Sequence, residues 1–183
     1  MAIDDLIQDA TRRMDKSVEA AQTEFSTLRT GRASAALLDR ISIDYYGTRT
    51  PLKQLATINV PEPRMLTVQP FDPSVLATVE KAIQESDLGL NPSNDGKLIR
   101  LPIPQLTEER RKELVKLVKQ MAEDGRVAVR NVRRDVIHHL KELDDIGADD
   151  EHRAEEQVQK LTDGHVKQID ELLKGKEAEI MEV

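Results

Sequence analysis

Four arginines fall within nine residues, at Arg126, Arg130, Arg133 and Arg134, and no acidic residue lies between the first and the last of them. A guanidinium group is a rigid planar fork of five donors that matches the oxygens of an oxyanion in pairs. Residues of this type at this spacing suit multidentate contact with phosphate. On an α-helix at about 100° per residue, Lys112, Lys116, Lys119, Arg126, Arg133 and Arg134 all fall within about 60° of Arg130. Leu114, Met121, Ala128 and Val132 gather within about 40° of the opposite pole, and Arg111 sits on the flank, about 100° away. The pattern predicts a helix with a basic outer stripe directly behind a core face.

Two readings of the stripe stand side by side. Charge runs on helices commonly form a solvated face laced with ion pairs three or four residues apart. Against that, the segment from Arg100 to Arg134 holds ten basic and five acidic residues, a local net of +5 in a chain whose formal net charge is −7. From Glu142 to Val183 fourteen acidic residues face five basic ones, a net of −9. The molecule is polarised, and the distribution bears on partners more than the average does. Aromatic residues make up only 2% of the chain, which disfavours stacking on single-stranded bases and favours a folded RNA held by its backbone.

The remaining chemistry-bearing residues point away from catalysis. His138 and His139 are adjacent and diverge on a helix, without the i,i+4 spacing of a zinc pair. His165 falls on an apolar stripe, where a satisfied core histidine is the plainer reading than a ligand. The chain has no cysteine, hence no thiolate nucleophile or disulfide. It also lacks a Gly-rich phosphate loop, so no enzyme activity, cofactor or metal is expected.

Three helices must position these residues. Ile3, Leu6/Ile7, Ala10, Met14, Val18, Ala21, Phe25 and Leu28 step by threes and fours along a first helix that is predicted to end near Thr30-Gly31. Thr107 is a plausible N-cap for the second, with Glu108 and Glu109 in its first turn and Gly147 at its end. Asp149 or Asp150 starts the third, whose stripe is Val158, Leu161, His165, Ile169, Leu172 and Ile180. Gly164 and Gly175 lie inside it and are expected to make it the least rigid of the three. Between the helices the period changes and all the prolines appear. Strands are predicted at 41–46, 57–60, 65–69 and 97–101, a helix capped by Ser74, and a loop at 91–96.

Burial requires the first helix to pack on the two late ones. The expected fold is therefore α+β: a discontinuous three-helix bundle from residues 1–30 and 106–183, with a small β/α/β domain, 31–105, inserted in it. Gly31 frees one connection while Pro102 and Pro104 stiffen the other. A hinge of restricted swing and an ordinary rigid boundary are both open on these residues. Each helix has one apolar face, which three helices consume, so a monomer is expected. The leftover apolar stripe of a coiled-coil adaptor, the competing reading, is not evident. The amino terminus carries Asp4 and Asp5 and reads as neither a signal nor a transit peptide. No run approaches the roughly 20 apolar residues of a membrane helix. A cytoplasmic location is expected.

Several blocks in order resemble the motifs of ribosome recycling factors: Arg29–Ser34 (RTGRAS), Tyr45–Thr48 (YYGT), Asp87–Pro92 (DLGLNP), Ile99–Pro104 (IRLPIP), Leu106–Lys112 (LTEERRK), Val127–Asp135 (VAVRNVRRD) and Val158–Asp163 (VQKLTD). The resemblance spans the chain. It implies an L-shaped fold of a three-helix bundle and a small β/α/β domain. It also implies entry into the post-termination ribosome and separation of its subunits, together with elongation factor G and GTP hydrolysis by that partner. Arg111, Arg130 and Arg133 match the positions that hold large-subunit ribosomal RNA, and Arg126 and Arg134 share their stripe. Arg29 and Arg32 match hinge arginines; Gly31, Pro102 and Pro104 match the linkers. Val136–His139 (VIHH) departs from the family's more polar residues there. The chain's start at the first helix, without an organellar extension, suggests a bacterial member.

Overall fold

The computed structural model describes residues 2–182. In chain order they form α1 (Ile3–Ser26), β1 (Ser42–Tyr45), β2 (Thr48–Pro51), a single turn α2 (Leu52–Leu55), β3 (Ala56–Glu62), β4 (Met65–Pro70), α3 (Leu76–Gln84), β5 (Ser93–Asn94), β6 (Ile99–Pro102), α4 (Glu108–Lys141) and α5 (Ala148–Met181). The chain divides into two compact units, residues 2–29 with 108–182 and residues 30–107. The class is α+β, with a helical bundle and a small separate β unit.

In the bundle, α1, α4 and α5 pack on one another. Leu6, Ala10, Met14, Ala21 and Phe25 are the buried residues of α1, on the stripe that their spacing predicts. The helix ends at Ser26, short of Gly31. The Ser26 and Thr27 hydroxyls donate to the Thr23 and Glu24 carbonyls at 2.6 and 2.7 Å, competing with the backbone ladder in the last turn. Gly31 does adopt a left-handed conformation, at φ 75°, but beyond the helix. Arg13 pairs with Asp135 at 2.6 Å, and the space beside Gly125 is filled by Ala21 and Ile169, so α1 runs antiparallel to α4. His165 on α5 meets Asp15 on α1. Its ring is buried and satisfied, with Nδ1 bonded to the Leu161 carbonyl at 2.6 Å and Nε2 to the Asp15 carboxylate at 2.7 Å. It is a core histidine.

On α4 the buried residues are Leu114, Val118, Ala122, Gly125, Val129, Val132, Val136 and Leu140. This corrects the predicted core face. Met121 and Ala128 are only half-buried, and the buried stripe lies about 60° round the helix from the predicted pole, towards Arg126 and Arg133. The cause is close helix packing at small residues. A Cβ added at Gly125 would stand 3.2 Å from Ile169 Cδ1 and 3.3 Å from Ala21 Cβ, so the backbone itself forms the contact surface there. Gly164 and Gly175 differ: helix α5 is continuous through both, and nothing lies within 4 Å of where their Cβ would be.

The second unit holds a four-stranded antiparallel sheet in the order β3-β4-β6-β5 and a separate β1-β2 hairpin. Leu66 opposes Leu101 and Val68 opposes Ile99, all four fully buried, which fixes the register of β4 on β6. The hairpin turns at Tyr46 and Gly47, with φ 51° and 83°; two positive values suit the twist of a two-residue hairpin. The predicted Ser74 cap is also corrected. Asp72 accepts from Ser74 N at 2.9 Å and Ser74 Oγ at 2.6 Å, capping a short turn that leads into α3. Part of the predicted 91–96 loop is β5, two residues long and exposed.

Candidate nucleic-acid interface

The arginine stripe is carried by a single element. Helix α4 runs unbroken for 34 residues, so side chains spaced three, four and seven apart are held on one rigid rod. Arg126, Arg130, Arg133 and Arg134 lie within about 12 Å along it, in a sector about 100° wide. Arg111 is not part of this group. It stands about 33 Å from Arg133 along the axis, and its Nη1 donates to the Met181 carbonyl at 3.3 Å, which satisfies an otherwise unpaired carbonyl at the end of α5.

The stripe is not uniformly free of counter-charge. Arg126 donates through Nε to Asp170 Oδ1 on α5 at 2.7 Å and through Nη1 to Glu123 Oε2 at 3.1 Å, and its side chain is only 21% exposed. Burial alone would lower its pKa, but hydrogen bonds and charges from Asp170 and Glu123 outweigh that and raise it. Arg130 pairs with the other Glu123 oxygen while half of its side chain stays in solvent. Hydrogen bonds from Arg126 and then Arg130 hold the Glu123 carboxyl below its ordinary range. Of the two readings of the stripe, the ion-paired one therefore holds at Arg126 and Arg130. An acid just ahead of the run, and one on the facing helix, engage Arg126 and Arg130.

Arg133 and Arg134 differ from them. Arg134 is exposed and Arg133 half-buried, and neither forms an ion pair among the described residues. Arg133 Nε is buried without an acceptor. A buried donor left unmade is costly, and it favours a turn of the side chain that brings the whole guanidinium to an acceptor. Elsewhere on the outer face Lys116 has no ion pair among the described residues, while Lys112 pairs with Glu108 at 2.9 Å and Lys119 with Glu177 at 3.8 Å. Sequence reasoning missed Glu123 and Asp170 as partners. The signal for the second was present: Lys119 and Arg126 on α4, and Glu177 and Asp170 on α5, are each seven residues apart, the period of facing positions in a coiled coil.

His138 and His139 diverge as adjacent helical residues must, towards Glu142 at 3.3 Å and Asp135 at 3.8 Å. No group of three or more histidine or carboxylate ligands is arranged to hold a metal among the described residues. Among the same residues no helix is long and apolar enough to cross a membrane.

The candidate hinge residues lie where the chain passes between the units. Arg29, Arg32 and Pro104 are exposed, and Pro102 closes β6 opposite Met65. The second unit grips both passing strands at one turn. Ala33 N–H donates to the Pro63 carbonyl at 2.7 Å and Ile103 N–H to the adjacent Arg64 carbonyl at 2.8 Å.

Known proteins similar to this chain include members of a family of translation factors. The sequence model described as "Ribosome recycling factor" matches residues 21–181. A ribosome-recycling factor of Rubrobacter xylanophilus is 60% identical over 180 residues, covering 97% of this chain and 97% of the relative. One from Syntrophomonas wolfei is 53% identical, covering 99% and 100%. Among solved structures, a solution structure of a ribosome recycling factor aligns with a TM-score of 0.77 and 45% identity over 100% of this chain and 99% of its own. A second, with a TM-score of 0.65 and 46% identity over 99% and 100%, is described as models for the T. thermophilus ribosome recycling factor and the E. coli elongation factor G bound to the E. coli post-termination complex.

Proposed function

This chain belongs to the ribosome recycling factor family, and from that premise we propose that it binds the post-termination ribosome and, with elongation factor G, promotes dissociation into subunits. The chain itself performs no bond-making step; its contribution is binding and displacement. The observation that carries the binding half is the pair Arg133 and Arg134. Neither has an ion-pair partner among the described residues; Arg134 lies on the side of α4 away from the bundle, Arg133 at the edge of its buried face, and both are next to the half-neutralised Arg130. Such a face suits the closely spaced phosphates of folded large-subunit RNA, where contact to backbone oxygens positions the protein without reading sequence. Arg111 adds a contact at the start of α4 if its weak bond to the Met181 carbonyl yields to phosphate. Arg126 contributes mainly by orienting Glu123 and closing α4 on α5.

The displacement half falls to the inserted unit, 31–105, moving on the bundle, 1–30 with 106–183. Arg29, Gly31, Arg32 and Pro104 frame the two connections, and Pro102 closes β6 just inside the second, stiffening its exit. The bonds from Ala33 and Ile103 to neighbouring carbonyls of one turn support a hinge confined to the residues outside them, because both connections leave the β unit from a common anchor. The protein acts as a monomer in the cytoplasm, where its ribosomal target is. Light scattering of post-termination ribosomes tests the whole reading. Splitting is expected only when this chain, elongation factor G and GTP are all present; splitting by elongation factor G alone at the same rate would contradict it.

A further inference from the structure

The ion pairs between α4 and α5 repeat with a period that leaves one rung open. Lys119 pairs with Glu177, and seven residues on, Arg126 pairs with Asp170, seven residues back. Lys141 with Glu155 keeps the same antiparallel register, each step forward on α4 being matched by an equal step back on α5. In that register Arg133 stands opposite Asp163, two turns or about 10 Å beyond the Arg126–Asp170 pair. No ion pair closes there among the described residues. Asp163 instead accepts a hydrogen bond from Gln159 Nε2 at 2.8 Å, one turn away on its own helix, and Arg133 keeps a buried Nε with no acceptor. Lys160 and Lys167 flank Asp163 on α5, and neither forms an ion pair with it among the described residues.

We propose that Gln159 and Asp163 are positioning residues for the RNA site: the Gln159 amide holds the Asp163 carboxylate back along α5 and so keeps Arg133 available to a phosphate. The inference rests on the reading of Arg133 as an RNA contact. Its physical content is a competition. A carboxylate and a phosphate oxygen are alternative acceptors for one guanidinium, and two rungs of this same ladder show that α5 carboxylates reach α4 cations from these positions. Without the Gln159 amide, Asp163 loses that donor and is free to close the open rung to Arg133. RNA must then displace an internal counter-ion. The cost is that of an exposed ion pair, a factor of about two to five in affinity.

The test is binding of the full chain to purified large ribosomal subunits by pelleting, with Gln159→Ala, Asp163→Asn, the double variant and Arg133→Ala. All but Arg133 are exposed, and circular dichroism verifies that each variant is folded. Gln159→Ala is expected to weaken binding by about twofold to fivefold. Asp163→Asn is expected to bind at least as tightly as the parent, and the double variant to match Asp163→Asn, because the amide matters only while there is a carboxylate to restrain. Parent-like binding by Gln159→Ala overturns the proposal, as does a defect that persists in the Asp163→Asn background. If Arg133→Ala weakens binding and Gln159→Ala does not, this inference alone fails. If Arg133→Ala binds like the parent, the reading of Arg133 as an RNA contact fails, and this inference with it.

Discussion

Two arginines seven residues apart on the same helix do different work, and their partners decide which. Arg126 is mostly buried between Asp170 and Glu123. Arg133 has no ion pair among the described residues and a stranded Nε. Truncating the first removes an interhelical bond and the packing of its stem, at a cost of about 1–2 kcal/mol. Truncating the second removes a donor that was never satisfied. Arg126→Ala is therefore expected to lower the melting temperature by several degrees, while Arg133→Ala changes it little and weakens ribosome binding; thermal melts beside pelleting assays separate the two, and the reverse pattern would exchange their roles. Clustering of these arginines was legible in the sequence because it is a matter of spacing on one helix. Their neutralisation was not, because Asp170 lies forty-four residues away and meets Arg126 only once the helix register is known. His165 was legible for the opposite reason: its place on the apolar stripe already put it in the core.

At the scale of the element, large apolar residues announced the helices and small ones misled. On α1 the stripe of Leu6, Ala10, Met14, Ala21 and Phe25 follows from hydrophobic period alone. On α4 the same reasoning turned the helix by about 60°, since it weighted Met121 over Ala122 and passed over Gly125. Glycine carries no hydrophobic signal, yet it marks where backbones approach most closely. The glycines of the bundle give a paired prediction. At Gly125 a methyl group would gain about 1 kcal/mol of helix propensity but meet Ile169 and Ala21 at 3.2 and 3.3 Å. Overpacking typically costs about 1–3 kcal/mol, so Gly125→Ala is expected to destabilise on balance. Gly164→Ala and Gly175→Ala add the methyl in open space and are expected to stabilise by about 0.5–1 kcal/mol each. Chemical denaturation of the three variants verifies the signs. In the β unit, strands with buried partners such as β4 and β6 were readable, whereas β5 was hidden because two exposed residues have no period.

At the scale of the whole molecule, the net charge of −7 misdescribes what a partner meets. The acids concentrate on α5 and part of that excess is spent against α4, in the pairs to Lys119, Arg126 and Lys141. What is left over the middle of α4, beyond the lone Lys116, is a short cationic face of exposed Arg134, half-paired Arg130 and half-buried Arg133. An α+β fold with its bundle split between the two ends of the chain follows from sequence because three amphipathic helices have no other way to bury their stripes. The charge that reaches solvent does not, being a difference between two helices. That residual face is the central claim, and the salt dependence of binding to large ribosomal subunits measures it most directly. Each phosphate contact contributes about 0.7–0.9 to the slope of log affinity against log salt. The parent is expected to show a steep negative slope, made shallower by about two to three when Arg130, Arg133 and Arg134 are all replaced by alanine. A slope that is flat in the parent, or unchanged in the triple variant, would contradict the account.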